Sequence, residues 1–285
     1  MSISLPVLAL SLCTVVDRVT EVVDGSGGAW NASYTILSPF RCGGAVAGAS
    51  LRPHPPGRNL LVVLPGLGPL AAAHNRAANW LAPAALGAGY AVVAVRSDWR
   101  RESEQATFES VVDDVRRFTG GSPRRIVAVG LEDGGSSVIR LASAPRRLVD
   151  AVVSVGDHAW PPALPLPALL AHSRVGADTG HAVFLSWLKA NKCRRRSPGT
   201  RAAALGRFMY RVSASVPGAR CLTGTNCASN TTACVMDEKV LTTPWLARAI
   251  LQFAVGTRPG GSDHFVVPRG ARNAGWATGD RLPEG

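Results

Sequence analysis

The stretch Val127-Ala128-Val129-Gly130-Leu131-Glu132-Asp133-Gly134-Gly135 decides the fold of this chain. It begins as an apolar strand, passes through a turn bracketed by glycines, and runs into a helical pattern that starts near Ser136. Glycines on both sides of one residue are typical of a sharp strand-to-helix turn, because strand and helix crowd the turn backbone there. The residue at the centre of this turn is Glu132.

Short apolar runs alternate with helical patterns on both sides of this turn. Strands are predicted at residues 31–37, 45–51, 59–64, 90–95, 125–129, 151–155, 168–172 and 211–216. Helices are predicted at residues 79–86, 107–119, from 136 onward, and at 182–190, 200–210 and 243–256. Strands that alternate with helices form a mainly parallel central sheet with helices on both faces, so the sequence predicts an α/β fold.

Length and composition fit one domain with a segment on either side. The 285 residues are 46% hydrophobic and 18% charged, which is ordinary for a globular core. Residues 25–257 are predicted to form the domain, residues 1–24 a candidate signal peptide or N-terminal segment, and residues 258–285 a Gly/Pro/Arg-rich tail. No apolar run reaches the roughly 20 residues that a membrane span needs.

The chain is basic, with a formal net charge of +12, and no nucleic-acid motif accompanies the charge. The densest basic cluster is Lys189-Ala190-Asn191-Lys192-Cys193-Arg194-Arg195-Arg196. Such a cluster is more often a solvated helix end and loop than a binding site. A polyanion contact at this cluster is the alternative, although it lacks the interleaved aromatic residues of many nucleic-acid sites.

Cysteines and sequons favour an oxidising compartment. Four of the six cysteines lie between residues 193 and 234, namely Cys193, Cys221, Cys227 and Cys234. Their spacing fits no zinc pattern, so we expect at least one disulfide, no metal site and no cofactor. Asn31-Ala32-Ser33 and Asn230-Thr231-Thr232 are glycosylation sequons. Together with the apolar run at residues 3–16, these features lead us to expect a secreted protein, with a soluble protein that is not secreted as the alternative.

The order of these motifs resembles the α/β-hydrolase superfamily over residues 45–253, especially its polyester hydrolase, cutinase, chlorophyllase and dienelactone hydrolase branch. Pro65-Gly66-Leu67-Gly68 resembles the loop that donates one oxyanion-hole N–H in those enzymes. Asn79-Trp80-Leu81 followed by Gly89-Tyr90-Ala91-Val92-Val93 resembles the helix and strand after that loop. Residues 130–135 match the nucleophile elbow except at its central position.

The resemblance implies a catalytic triad, but the residues that would form it are changed. The nucleophilic serine falls on Glu132, and the acid falls on Asp178 or on Gly180, depending on the alignment. The histidine, which follows the last strand of the family, falls on Arg220 or Cys221. The backbone N–H groups of Leu67 and Asp133, next to Gly66 and Glu132, would form the oxyanion hole. We expect Glu132 to form a buried ion pair with Arg220 in place of the Ser/His pair.

Other titratable residues are candidate neighbours of this site. Asp157 and His158 follow a predicted strand on the same edge as the elbow, where bonding to local backbone is the more common role. His181 lies close to Asp178, for which the start of a helix is the more common place. His264 is the remaining downstream histidine, although it follows the final helix.

Three functions are consistent with this sequence. The favoured one is a degenerate hydrolase, which binds a small apolar or ester-like ligand in the old pocket or has a structural role. The second is an active ester hydrolase that uses Glu132 as nucleophile or general base, served by His158 or His264. The third is an electrostatic binding module that uses its Arg-rich face.

Overall fold

The structure is a computed structural model, which describes residues 14–23, 28–38, 59–64, 81–82, 85–86, 88–95, 104–119, 121–144, 148–156, 160–162, 164–173, 177–193, 210–216, 219–224, 226–237 and 244–256. The strands are β1 Thr14–Val23, β2 Ala29–Ser38, β3 Asn59–Leu64, β4 Tyr90–Val95, β5 Arg125–Leu131, β6 Ala151–Val155, β7 Ala168–Ser173, β8 Tyr210–Val216, β9 Ala219–Gly224 and β10 Thr231–Met236. The helices are α1 Glu104–Thr119, α2 Gly134–Ser143, α3 Ala177–Ala190 and α4 Pro244–Gly256. Residues 81–82 and 85–86 are also helical.

All ten strands form one sheet in the order β1-β2-β4-β3-β5-β6-β7-β10-β9-β8. The strands β4, β3, β5, β6, β7 and β10 run parallel to one another. The strand β2 pairs antiparallel with β4, and β9 pairs antiparallel with β10. This order, with its antiparallel β2, is that of the α/β-hydrolase fold, and the predicted fold class is confirmed.

Helices cover both faces of the sheet, as the sequence predicts. One face packs against α1, α2 and α3, whose buried side chains include Phe108, Val138 and Trp187. The other face packs against α4 and the helical residues 81–82 and 85–86. The parallel strands are buried along almost their whole length, because apolar side chains meet a helix layer on either side. Among the described residues, no helix is long and apolar enough to cross a membrane.

The strand β1 lies in the segment that the sequence assigns to a signal peptide or N-terminal segment. It pairs with β2 over ten residues, and its Val22 is fully buried against the face that carries α1. The pairing with β2 therefore attaches residues from Thr14 onward to the sheet, ahead of residue 25, where the sequence predicts the domain to begin. The sequence did not predict this strand, because the apolar run at residues 3–16 overlaps its start and is equally typical of a signal-peptide core.

A buried cluster of polar side chains fixes the β1–β2 hairpin to α1. The guanidinium of Arg18 donates two hydrogen bonds to Asp114, at 2.7 Å from Nε and 2.9 Å from Nη2. The hydroxyl of Tyr34 also donates to Asp114, and the Arg18 guanidinium lies 5.2 Å from the centroid of the Phe118 ring. Burial opposes the ionisation of Asp114, but the hydrogen bonds from Arg18 and Tyr34 outweigh it and lower the pKa of this carboxyl.

The strands β9 and β10 are not predicted from the sequence, which places its last strand at residues 211–216. The strand β10 reads Thr-Thr-Ala-Cys-Val-Met, so its apolar run is only four residues long and follows two threonines, yet it is buried between β7 and β9. Its polar residues are accommodated by mutual hydrogen bonding, since the hydroxyls of Thr232 and Thr223 lie 2.9 Å apart. The predicted strand at 45–51 lies outside the described residues, as does the predicted helix at 200–210 except for Tyr210, which begins β8.

Two disulfides hold this end of the sheet together, which confirms the prediction of at least one. Cys221 on β9 is bonded to Cys234, its direct neighbour on β10. Cys193, just after α3, is bonded to Cys227 in the loop between β9 and β10. Gly224 makes room for the second bond, because a Cβ there would lie 2.8 Å from the Cys227 sulfur.

We expect Asp114→Ala to lower the free energy of unfolding by about 2–3 kcal/mol, because it leaves the Arg18 charge and the Tyr34 hydroxyl without their shared partner. The matched control is Asp113→Ala, since the Asp113 side chain is 61% exposed and pairs with Arg116 on the surface. That change should cost less than about 0.5 kcal/mol. Urea unfolding monitored by circular dichroism measures both, and equal losses would contradict the anchoring role of Asp114.

The same cluster predicts a pH dependence of stability. A carboxyl whose pKa is lowered on folding stabilises the protein fully above its unfolded pKa of about 4. That stabilisation is lost as the pH falls through the lower pKa of the folded state. We therefore expect acid unfolding of Asp114→Asn to be less steep than that of the wild type. Parallel pH titrations of the unfolding midpoint measure this, and identical slopes would contradict it.

Candidate functional site

Glu132 stands at the apex of the turn that links β5 to α2, with the left-handed backbone angle φ of +50°. Its N–H donates to the Val155 carbonyl of β6 at 2.6 Å, and its own carbonyl accepts from the Gly135 N–H at 2.7 Å. A residue other than glycine rarely adopts this conformation, which costs about 1–2 kcal/mol. The turn is thus a nucleophile elbow in its geometry, and the predicted position of Glu132 between a central strand and a helix is confirmed.

Two glycines allow close packing around this turn. A Cβ on Gly130 would lie 2.0 Å from the Gly134 carbonyl oxygen, so the strand and the helix start meet backbone to backbone. Gly156, at the end of β6, has a φ of +86°, and a Cβ there would approach the Glu132 Cγ to 3.5 Å. The Glu132 side chain therefore leaves the turn beside Gly156, where it is half-buried, while Asp133 is exposed.

Glu104 is a buried carboxylate that the sequence did not indicate, and it stabilises the helix that follows the elbow. Glu104, the first residue of α1, is 4% exposed and accepts a hydrogen bond from the Ser137 hydroxyl at 2.7 Å. It also accepts two hydrogen bonds from Arg140, each at 2.6 Å. These contacts fix the first two turns of α2 against α1. The polar spacing Ser137–Arg140 (i, i+3) on a predicted helix is the only sequence signal, and it does not identify Glu104 as the partner.

The predicted acid lies at the same edge of the sheet as the elbow. Asp178 is in the first turn of α3, which follows β7 after residues 174–176. Because β7 runs parallel to β5, the start of α3 and the elbow share the carboxyl edge of the sheet. The side chain of Asp178 lies outside what the structure describes, and His181 is exposed one turn further along α3. The roles of both residues stay predictions.

The predicted ion pair between Glu132 and Arg220 is wrong. Glu132 continues β5, whereas Arg220 lies on β9 and is exposed, with β6, β7 and β10 between the two strands. Four strand spacings of about 4.8 Å place their backbones roughly 19 Å apart. An ion pair requires charged atoms within about 4 Å. Arg220 is therefore neither the partner of Glu132 nor a neighbour of the site, and the cause is that β9 is an added strand outside the parallel sheet.

The last parallel strand, β10, moves the expected histidine position to a different loop. Residues 237–243, between β10 and α4, read Asp237-Glu238-Lys239-Val240-Leu241-Thr242-Thr243. This segment of the sequence contains no histidine. The described histidine of the sheet is His172 on β7, which is 1% exposed and lies two strand spacings from Glu132, roughly 10 Å by backbone.

Several predicted site residues lie outside the described part of the chain. These are Gly66, Leu67, Asp157, His158 and His264. Of the basic cluster, Lys189 and Lys192 are exposed, whereas Asn191 is buried and donates to the Leu166 carbonyl and the Thr231 hydroxyl. Cys193 of this cluster is disulfide-bonded. A polyanion contact at the cluster stays a prediction.

No family model matches the chain, and no curated protein matches it in sequence. Among solved structures, the chain is similar to the Pyrococcus furiosus esterase PF2001, with a TM-score of 0.43 and 14% identity over 67% of this chain and 84% of that one. It is similar to a dienelactone hydrolase-like promiscuous phosphotriesterase from metagenomic libraries, with a TM-score of 0.42 and 14% identity over 62% and 78%. It is also similar to FphF, a fluorophosphonate-binding serine hydrolase of Staphylococcus aureus, with a TM-score of 0.42 and 13% identity over 62% and 86%.

The left-handed backbone at Glu132 predicts an inverted ranking of two substitutions. At most positions alanine is more stabilising than glycine by about 1 kcal/mol. At residue 132 we expect Glu132→Gly to be more stable than Glu132→Ala by about 0.5–1 kcal/mol, because glycine adopts a positive φ without strain. The control is Ser136 in α2, where the alanine variant should be the more stable. Thermal unfolding of the four variants tests the sign, and the ordinary ranking at residue 132 would contradict a left-handed elbow.

The contact between Gly130 and Gly134 predicts a much larger effect. We expect Gly130→Ala to cost about 3 kcal/mol or more, because the new methyl group meets backbone atoms that cannot rotate away. Gly121→Ala is the matched control, since a Cβ at Gly121 meets no atom within 4 Å. Denaturant unfolding compares the two, and a similar small cost for both would refute the close approach of strand and helix.

Proposed function

We propose that this chain is an α/β-hydrolase-fold protein with a degenerate catalytic triad, which binds a small apolar or ester-like ligand at the carboxyl edge of its sheet and does not hydrolyse it. The proposal includes a protein whose scaffold has a structural role and binds no such ligand. The observation that carries it is the carboxylate of Glu132 at the apex of the elbow, with a φ of +50°. That apex is where a serine hydrolase presents its nucleophilic hydroxyl.

A carboxylate at this position does not replace the chemistry of a serine. Acyl transfer by a triad requires a hydroxyl, a base that removes its proton, and a group that orients the base. Attack of Glu132 on an ester would give a tetrahedral intermediate, which must expel an alkoxide to form an anhydride. The alkoxide is a far stronger base than the carboxylate, so the intermediate would expel the carboxylate of Glu132 and return to reactants. Residues 237–243, where the histidine of the family would fall after the last parallel strand, contain no histidine.

The retained elbow is explained without catalysis. The close approach of Gly130 to Gly134 and the left-handed backbone at Glu132 both belong to the packing of the strand against the helix. The hydrogen bond from the Glu132 N–H to Val155 and the Glu104 contacts then stabilise the turn as part of the scaffold. The strained backbone at Glu132 is thus consistent with an inherited turn that no longer carries a nucleophile.

The alternative is an ester hydrolase in which Glu132 works as nucleophile or general base. The observation in its favour is the same positive φ, because strained residues other than glycine cluster at active sites. A glutamate that polarises water beside Gly156 would need a nearby acid for the leaving group. His158 and His264 are the candidates from the sequence.

A hydrolysis assay with p-nitrophenyl butyrate distinguishes the two functions. For the degenerate site we expect wild-type turnover no greater than that of Glu132→Gln, and no labelling by a fluorophosphonate probe. Glu132→Ser should also fail to give a fast esterase, with or without Arg220→His, because residue 220 lies four strands away. Intact p-nitrophenyl laurate should still raise the midpoint of thermal unfolding, as a ligand that binds only the folded state does.

The control is Glu109→Gln, which removes a carboxylate from the surface of α1, where Gln105 is its partner. Wild-type turnover that persists in Glu109→Gln and disappears in Glu132→Gln would contradict the proposal and establish Glu132 as a working carboxylate. An absence of both turnover and ligand-induced stabilisation would leave the structural role and exclude the binding role for this ligand class.

A further inference from the structure

The two glycosylation sequons occupy very different places in the fold. Asn31 lies on β2 and is exposed, and Ser33, the hydroxyl residue of its sequon, is half-buried on the same strand face. Asn230 immediately precedes β10, and its carbonyl accepts a hydrogen bond from the Ala168 N–H at 2.9 Å. The sequence treats both sites alike, so their difference comes from the tertiary structure alone.

Asn31 is an exposed residue on the outer face of the β1–β2 hairpin. It pairs with Glu21 of β1, and the next residue of β2, Ala32, is buried in the core. Because side chains alternate between the two faces of a strand, a group attached to Asn31 projects away from the core.

Two exposed valines flank Asn31 on the same face of the hairpin. Because Asn31 is directly opposite Glu21, its diagonal neighbours on β1 are Val19 and Val23. Diagonal neighbours on one face of a sheet lie about 7–8 Å apart. Val19 is 63% exposed and Val23 is 58% exposed, and both lie on the outermost described strand of this edge of the sheet. Exposed apolar residues on a long edge strand favour pairing with other chains unless something covers them.

The second sequon is built into the core instead. Thr231 and Thr232 are fully buried, and the Thr232 hydroxyl, which a sequon needs, is hydrogen-bonded to that of Thr223. The disulfide-bonded Cys227 and Cys234 flank Asn230 closely on either side. In the folded, disulfide-bonded chain the Thr232 hydroxyl is therefore out of reach of a modifying enzyme.

We propose that Asn31 carries an N-linked glycan that covers Val19 and Val23 on the outer face of the β1–β2 hairpin. The two disulfides are the independent indication of an oxidising compartment, where such glycans are attached. The glycan adds to the exposed charges of Asp17 and Glu21 on the same face of β1, since charged residues also protect an edge strand. This modification is independent of the chemistry at Glu132.

The attachment is a balanced group transfer from a lipid-linked oligosaccharide pyrophosphate. The Asn31 amide nitrogen forms a bond to the anomeric carbon of the first sugar, and the bond from that carbon to the pyrophosphate oxygen breaks. The bonding electrons leave with the pyrophosphate, and one amide proton is released to solvent. No atom is oxidised or reduced, and the Ser33 hydroxyl is the group that the transferring enzyme recognises at the sequon.

The test is expression of the full chain with its own N-terminus in secretory eukaryotic cells, followed by digestion with peptide-N-glycosidase. We expect a mobility shift in the wild type and in Asn230→Gln, and its loss in both Asn31→Gln and Ser33→Ala. Two variants are used because each removes the sequon through a different residue. A wild type without a shift, or a shift that persists unchanged in Asn31→Gln, would overturn the proposal.

The covering role has its own measurement. Size-exclusion chromatography should show a loss of monomer in Asn31→Gln, and Val19→Thr with Val23→Thr in that background should restore it. Threonine keeps the branched shape that strands favour while it removes exposed apolar surface. Unchanged monomer content on loss of the glycan would show that Val19 and Val23 need no cover, and would refute this part of the proposal.

Discussion

The backbone contact between Gly130 and Gly134 is the constraint on which the rest of this site depends. A side chain at Gly130 would meet the backbone of Gly134 at the start of α2. The turn between β5 and α2 consists of Glu132 and Asp133, and Glu132 adopts a positive φ. The turn places the Glu132 side chain at the carboxyl edge of a buried parallel sheet, beside Gly156. What this edge does chemically follows from the residue at the apex, and a carboxylate there lacks the reactivity of a serine hydroxyl.

Both edges of the sheet carry additions that are attached by strong local interactions. At one edge, the Arg18 guanidinium and the Tyr34 hydroxyl both donate hydrogen bonds to the Asp114 carboxylate. These contacts hold the β1–β2 hairpin against α1. At the other edge, two disulfides hold the antiparallel β9 and the loop after it. These additions explain why the candidate site is not completed by Arg220, since β9 lies outside the parallel sheet that shapes the site.

Much of the fold was predictable because its strands are buried on both faces. Continuous apolar runs such as those of β3, β4 and β6 are visible in sequence with almost their observed bounds. The strands β1 and β10 were missed for opposite reasons. The first adjoins an apolar N-terminal run that is equally typical of a signal peptide, and the second contains threonines whose polarity is satisfied only by hydrogen bonds to other strands.

The sequence by itself determined the elbow, since glycines around Glu132 between a strand and a helix permit few other conformations. It also determined that the apex is a carboxylate. The sequence shows no histidine between β10 and α4, but only the structure identified β10 as the last parallel strand. Only the tertiary structure decided which residues meet. The register of the sheet separated Glu132 from Arg220, joined Cys221 to Cys234, and placed Asn31 between two exposed valines. Register depends on contacts between distant segments, and spacing along one chain does not encode it locally.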